Sequence, residues 1–256
     1  PFLIKLNMGM KRNLWLLIVF PAVMLIILWF VITSPNHTPV WKGREIALKY
    51  GCFNCHGFEG YGNVKNPGYR YSEVPSWQGE TAMMFILNEE ELKEWILYGK
   101  PRRLKDVNYG GVIKMPAYEN IISENELKNL ISYLKAVMGL IKIDNDTAKA
   151  GYEVAKKSGC FGCHGPYGMG GMPNKGSFKG YIPGWDGEDF KLLVENEDEL
   201  KEWILYGEIN RLEKNIIAGK FLRRQVVKMP AYKDILSKDE INYLVSYIRW
   251  LRGGKI

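Results

Sequence analysis

The sequence predicts an all-α chain, one N-terminal transmembrane helix followed by two tandem helical domains. Three observations carry this. Residues 43–118 recur, motif by motif, at 151–232, so one fold is used twice. Apolar residues fall at helical spacing behind strong helix-start signals. No stretch of any length shows the alternation of a strand.

The repeat is explicit. GREIALKYGCFNCHG at 43–57 matches GYEVAKKSGCFGCHG at 151–165, and NEEELKEWILYGK at 88–100 matches NEDELKEWILYGE at 196–208. KMPAY at 114–118 recurs at 228–232. The offset is 108 up to Gly99/Gly207 and 114 from Lys114/Lys228, so the second copy carries six extra residues in between. Two long copies indicate a duplicated domain; a solenoid needs more repeats of shorter period.

Residues 1–13 form a short basic N-terminus with Lys5, Lys11 and Arg12. Met10-Lys11-Arg12-Asn13 resembles a natural start, which leaves two readings of residues 1–9 open. Residues 14–33, LWLLIVFPAVMLIILWFVIT, carry no charge. As a helix, 20 residues span about 30 Å, the thickness of a bilayer's hydrocarbon core. Pro21 is tolerated in such a helix, and Trp15 and Trp29 sit where interfacial anchors lie. A cleaved signal peptide would have a shorter apolar region and a small-residue site, which Thr33-Ser34-Pro35-Asn36 does not supply. Lys11 and Arg12 keep the N-terminus cytoplasmic, so the rest of the chain faces the periplasm from the inner membrane. Residues 34–41 read as a Pro-containing stem, with His37 a solvent- or headgroup-facing residue; ligation of a metal or haem is its competing reading.

The two domains take residues 42–140 and 141–256. In each, a helix (about 41–50 and 147–158) precedes a Cys motif, and a Gly-, Pro- and Tyr-rich loop follows. A second helix starts at Asn88 or Asn196, each an N-cap with Glu91 or Glu199 three positions on. Leu92, Trp95 and Ile96, and Leu200, Trp203 and Ile204, form its apolar face. A Met loop comes next. The last helix opens with the capping boxes Ser123…Glu126 and Ser237…Glu240. It buries Leu127, Leu130, Ile131 and Leu134, or Ile241, Leu244, Val245 and Ile248.

Each Cys motif is C-x-x-C-H: Cys52, Cys55 and His56, then Cys160, Cys163 and His164. Two thiols three positions apart can each form a thioether to a haem vinyl group, and the following His supplies a proximal nitrogen to the iron. The motifs account for all four cysteines and for two of the three histidines. A four-thiolate zinc site would need the pairs closer together, and a thioredoxin-like pair leaves each His unexplained. The expected cofactors are therefore two covalently attached haem c groups. For the second axial position, Met115 and Met229 sit at equivalent places in KMPAY, in loops stiffened by proline. Met/His ligation raises the reduction potential and leaves no free site on the iron. Met169, Met172, Met83 and Met84 are weaker candidates, and a core-filling role is the plain alternative for any of them.

With these motifs in order, each copy resembles a class I cytochrome c domain: N-terminal helix, CxxCHG, Pro/Gly loop, middle helix, Met loop, C-terminal helix. The resemblance implies that Gly43 packs on Tyr133 and Gly151 on Tyr247. It also implies that Trp77 or Trp185 serves a haem propionate, with Arg102, Arg103, Arg223 or Arg224 as possible partners for the propionates.

The net charge of +7 is spread along the chain, which gives no argument for nucleic acid. The whole is similar to anchored dihaem cytochrome subunits of bacterial bc-type quinol-oxidising complexes and of cbb3-type terminal oxidases. That similarity implies periplasmic electron transfer between respiratory-chain components, with the membrane, respiratory complex subunits and a redox protein as partners. A dihaem redox enzyme of peroxidase or thiosulfate dehydrogenase type is the alternative. It needs an iron with a displaceable ligand, whereas both copies carry equivalent Met residues.

Overall fold

The computed structural model describes the backbone of residues 2–256 and the side chains of residues 18–79 and 81–256. Helix α1 (Phe2–Thr33) contains Pro21. Among the described residues no helix is long and apolar enough to cross a membrane. The predicted span 14–33 begins at side chains outside those described, as do Lys11 and Arg12, on which its orientation rests.

The first copy comprises α2 (Pro39–Lys49), α3 (Cys52–His56), α4 (Glu80–Met83), α5 (Glu89–Tyr98) and α6 (Glu124–Val137). The second comprises α7 (Asp146–Lys157), α8 (Phe161–His164), α9 (Glu197–Tyr206), α10 (Asn210–Lys214), α11 (Ile216–Arg224) and α12 (Lys238–Leu251). A two-stranded antiparallel ribbon, β1 (Gly171–Pro173) with β2 (Tyr181–Pro183), adds a small departure from an all-α chain. Three residues per strand are too few for alternation to register in a sequence.

The helix ends follow their caps. Ser123 and Ser237 close complete capping boxes with Glu126 and Glu240. Asn88 and Asn196 accept from the N–H of Glu91 and Glu199, both at 2.9 Å. The Glu side chains do not reach back to these caps. They accept instead from the N–H of Leu87 and Glu195, one residue earlier, at 3.0 and 2.9 Å. Their outer oxygens are taken by Arg103 and Arg211, at 2.7 and 2.6 Å from Nε.

In each copy the first and last helices cross at a glycine. A Cβ on Gly43 would lie 2.0 Å from the Asn129 carbonyl oxygen and 2.6 Å from Tyr133 Cβ. At Gly151 the same atom would meet Tyr243 O at 1.9 Å and Tyr247 Cβ at 2.7 Å. The expected pairing of glycine with aromatic is thus present twice, and both tyrosines are wholly buried.

The copies differ where they meet. In the first, Arg44 donates to Glu59 at 2.7 Å and Tyr133 donates to the same carboxylate at 2.6 Å. The positions offset by 108 hold Tyr152 and Tyr167, whose rings lie 4.7 Å apart. These rings and Met169 pack against the apolar core of the first copy. A partly buried ion pair in one copy is therefore a pair of packed aromatic rings in the other, which makes the domain–domain contact an extension of a core.

The stem is not a free tether. Asn36 N–H donates to Asp189 Oδ2 at 2.8 Å, and Thr38 Oγ1 donates to the Met169 carbonyl. His37 stacks on Trp41 at 4.4 Å and meets the edge of Tyr181 at 4.5 Å. This corrects the reading of His37 as a solvent- or headgroup-facing residue. It is half-buried between aromatic rings, and burial lowers its pKa. A short stem whose backbone N–H and hydroxyl find fixed acceptors has little freedom to swing outward.

Candidate functional site

Each copy encloses an apolar cavity of about 490 Å³, within the range of cofactor sites. Cys52, Cys55, His56 and Met115 line the first; Cys160, Cys163, His164 and Met229 line the second. The two CxxC pairs serve separate cavities. Among the described residues no group of three or more His, Cys, Asp and Glu could hold a metal ion, which removes the four-thiolate zinc reading.

Short helices α3 and α8 carry the thiols and the imidazoles. His56 Nδ1 lies 3.0 Å from the Pro75 carbonyl oxygen, and His164 Nδ1 lies 3.1 Å from that of Pro183. A carbonyl can only accept, so Nδ1 carries the hydrogen and Nε2 keeps its lone pair. Burial lowers the pKa of both rings, that of His164 to about 4, which keeps them neutral. Trp77 and Trp185 flank the rings at 4.8 and 4.9 Å between centroids. The imidazoles are thus held in the tautomer and orientation that a ligand to iron requires. Burial also raises the Cys52 thiol to about 11 and that of Cys160 upward, as expected for sulfurs in apolar surroundings.

The Met loops are held at three points. The C-terminal turns of α5 and α9 receive them: Tyr118 N–H donates to Ile96 O at 3.1 Å, and Tyr232 N–H to Ile204 O at 3.0 Å. Gly99 and Gly207 end these helices with positive φ, and a Cβ there would strike the carbonyl of Met115 or Met229. The KMPAY tyrosines reach the end of the first helix, where Tyr118 Oη donates to Tyr50 O at 3.3 Å and Tyr232 Oη to Ser158 O at 3.1 Å. Lastly, the buried Asn66 side chain bonds the carbonyl and N–H of Ile113 at 3.0 and 2.8 Å. Asn174 does the same to Val227 at 2.9 Å each way. Each asparagine grips a residue two positions before the methionine.

The weaker candidates fall away from the cavities. Met83 and Met84 are exposed, and Met169 packs against the other domain. Met172 lies in β1. Met138 does line the first cavity, but its repeat position in the second copy is Arg252. Two of the arginines considered for propionates are committed elsewhere, Arg103 to Glu91 and Arg102 to Glu94 at 3.2 Å. Arg223 and Arg224 stand exposed on α11.

Sequence reasoning missed Asn66, Asn174, Tyr118, Tyr232 and the two proline carbonyls. The asparagines are related by the repeat offset of 108 and the tyrosines by 114, which is the signal that would have found them. The residues present fit a covalently bound haem in each cavity: paired thiols, a neutral imidazole with a fixed tautomer, and a thioether on a braced loop, inside apolar walls.

A comparison with protein families matches Cytochrome c over residues 40–137 and again over 148–252. No curated protein and no solved structure matches the chain. The two matched segments contain the two cavities just described, and together they span most of the chain: it belongs to the cytochrome c family, as a tandem pair of haem-binding electron-transfer domains.

Proposed function

We propose that this protein is a membrane-anchored dihaem cytochrome c that carries electrons on the periplasmic side between respiratory-chain components, as a subunit of a membrane complex. The observation that carries the reading is the identity of the two donor sets. Each cavity presents two thiols, an imidazole with its tautomer fixed by a proline carbonyl, and a methionine on a loop braced by asparagine and tyrosine.

When bound, haem c supplies reversible one-electron chemistry at iron. The protein's part is to hold that chemistry still. Cys52, Cys55, Cys160 and Cys163 would provide covalent attachment, His56 and His164 a nitrogen ligand each, and Met115 and Met229 a sulfur ligand each. Apolar walls exclude water and favour the less charged state of the site, and thioether ligation acts in the same direction on potential. The hydrogen bonds that hold the imidazoles and the methionine loops would limit movement of these ligand residues, which suits transfer of electrons rather than conversion of a substrate.

Absorption spectra of Met115→Leu and Met229→Leu test this reading. Each substitution removes half of the Met–iron charge-transfer absorption and leaves the other half. A native high-spin haem in either domain would favour the dihaem enzyme. The anchor rests on the uncharged run 14–33 and on the apolar side chains from Ile18 to Ile32, which stand exposed along α1. Vesicle flotation at alkaline pH checks it, and subunits co-purifying in mild detergent identify a quinol-oxidising complex or a terminal oxidase as the partner.

A further inference from the structure

The chain order places the first domain next to the anchor, yet the contacts of the stem run to the second. Trp29 near the end of α1 meets Phe178 at 6.5 Å, and Phe178 meets Phe221 of α11 at 5.2 Å. Asn36 bonds Asp189 in the same domain. Helix α11 lies between Arg211 and Lys228, the segment that six extra residues lengthen in the second copy and that is a shorter loop in the first.

The outer face of α11 is specific in its chemistry. Ile216, which is not part of the cavity lining, is 89% exposed. Lys220, Arg223 and Arg224 are exposed beside it, and the helix IIAGKFLRR has no acidic residue. Ala218 and Leu222 turn inward to the core of the second domain. An exposed Ile216 followed by three exposed cations on the same helix, with Glu213 of α10 the one exposed acid just before it, beside the proposed anchor, matches a bilayer interface with anionic headgroups.

We propose that α11 is a foot that rests on an anionic phospholipid surface beside the anchor, so that the second cavity is the membrane-proximal one. Ile217, Phe221 and Leu222 also line that cavity, so the element on the lipid is a wall of the cofactor site. Electrons exchanged with a partner at the membrane surface then pass through the second domain, and the first is the outward station. This inference rests on the anchor reading above.

The test uses the full haem-loaded chain in vesicles of phosphatidylcholine with or without phosphatidylglycerol. A nitroxide is placed at Ile216→Cys or, on the first domain, at Val112→Cys, and its access to a water-soluble nickel chelate is measured. Flotation is recorded on the same samples. The expected result is a several-fold loss of access at 216 in vesicles containing phosphatidylglycerol and none at 112. Replacing Lys220, Arg223 and Arg224 by Gln should abolish that loss in chains that still float. Full access at 216 in floating chains, or equal protection without phosphatidylglycerol, overturns the foot and leaves the anchor standing. Chains that do not float overturn both.

Discussion

Asn174 holds Val227 by both of its backbone groups: its amide nitrogen donates to the carbonyl and its oxygen accepts from the N–H, at 2.9 Å each. The side chain is almost completely buried, so neither bond is shared with water. Asn66 repeats the arrangement on Ile113. Asn174→Ala would leave the N–H and C=O of the half-buried Val227 without this partner, a cost of about 1–3 kcal/mol. The loop two residues before Met229 would loosen. Chemical denaturation should show the loss of stability, and the Met–iron charge-transfer absorption of that domain should weaken. Wild-type stability with full absorption would show that the bracket is dispensable.

Gly43 and Gly151 have no room for a methyl group, since the nearest backbone oxygens lie 2.0 and 1.9 Å from the position of its carbon. Alanine at either site must separate the first and last helices of that domain. Overpacking against backbone costs about 1–3 kcal/mol or more. Gly43→Ala should lower the denaturation midpoint of the first domain and Gly151→Ala that of the second, each followed through its own haem absorption after reduction.

Asp186 is held above its ordinary range. Burial raises its pKa from 3.8 to about 7, against the opposing pull of the Arg252 charge, and its Oδ1 is enclosed without a partner. A raised folded-state pKa means that the native protein binds the proton more tightly than the unfolded chain. The associated stability is complete below about pH 4 and is lost as pH rises through about 7. A shift of this size corresponds to a loss of about 4 kcal/mol across that window. Asp186→Asn should flatten the profile and be the more stable form at pH 8. An unchanged profile would exclude Asp186 as its source.

Asp189 joins the stem to the second domain. It accepts from Asn36 N–H at 2.8 Å, Tyr181 Oη at 2.6 Å and Lys179 Nζ at 2.8 Å. Burial alone would raise its pKa; the Lys179 ammonium and these hydrogen bonds outweigh it and hold the carboxyl below its usual range. Asp189→Ala leaves three donors without their acceptor, two of them in poorly hydrated positions, at a cost of about 2–4 kcal/mol. Limited proteolysis should then cut within residues 34–38 at least several-fold faster. Equal cleavage rates would mean that the latch does not restrain the stem.

The parts of this fold that were legible in the sequence are those set by local chemistry. Ser123 and Ser237 announce their helices because a hydroxyl and a carboxylate three residues apart satisfy backbone N–H groups wherever they occur. Cys-x-x-Cys-His is legible because haem attachment fixes its spacing. The crossings at Gly43 and Gly151 were expected from the family resemblance alone. What escaped reading depends on closure of long loops. The bond from Asn66 to Ile113 joins residues 47 apart, and no local pattern requires it. The Pro75 and Pro183 loops drew notice for their tryptophans, whereas backbone carbonyls, which every residue has, orient the histidines. The stem looked free because its partners, Asp189 and Tyr181, lie far along the chain. The change from Arg44 and Glu59 to Tyr152 and Tyr167 was visible, but its meaning required knowing that one copy covers the other.

The central claim is that each of the two cavities holds its own covalently attached haem. The intact mass of the denatured mature chain tests it most directly. The account predicts the polypeptide mass plus two haems, falling to one haem when Cys52 and Cys55 or Cys160 and Cys163 are replaced by serine. A wild-type chain carrying one haem, or none, would contradict it.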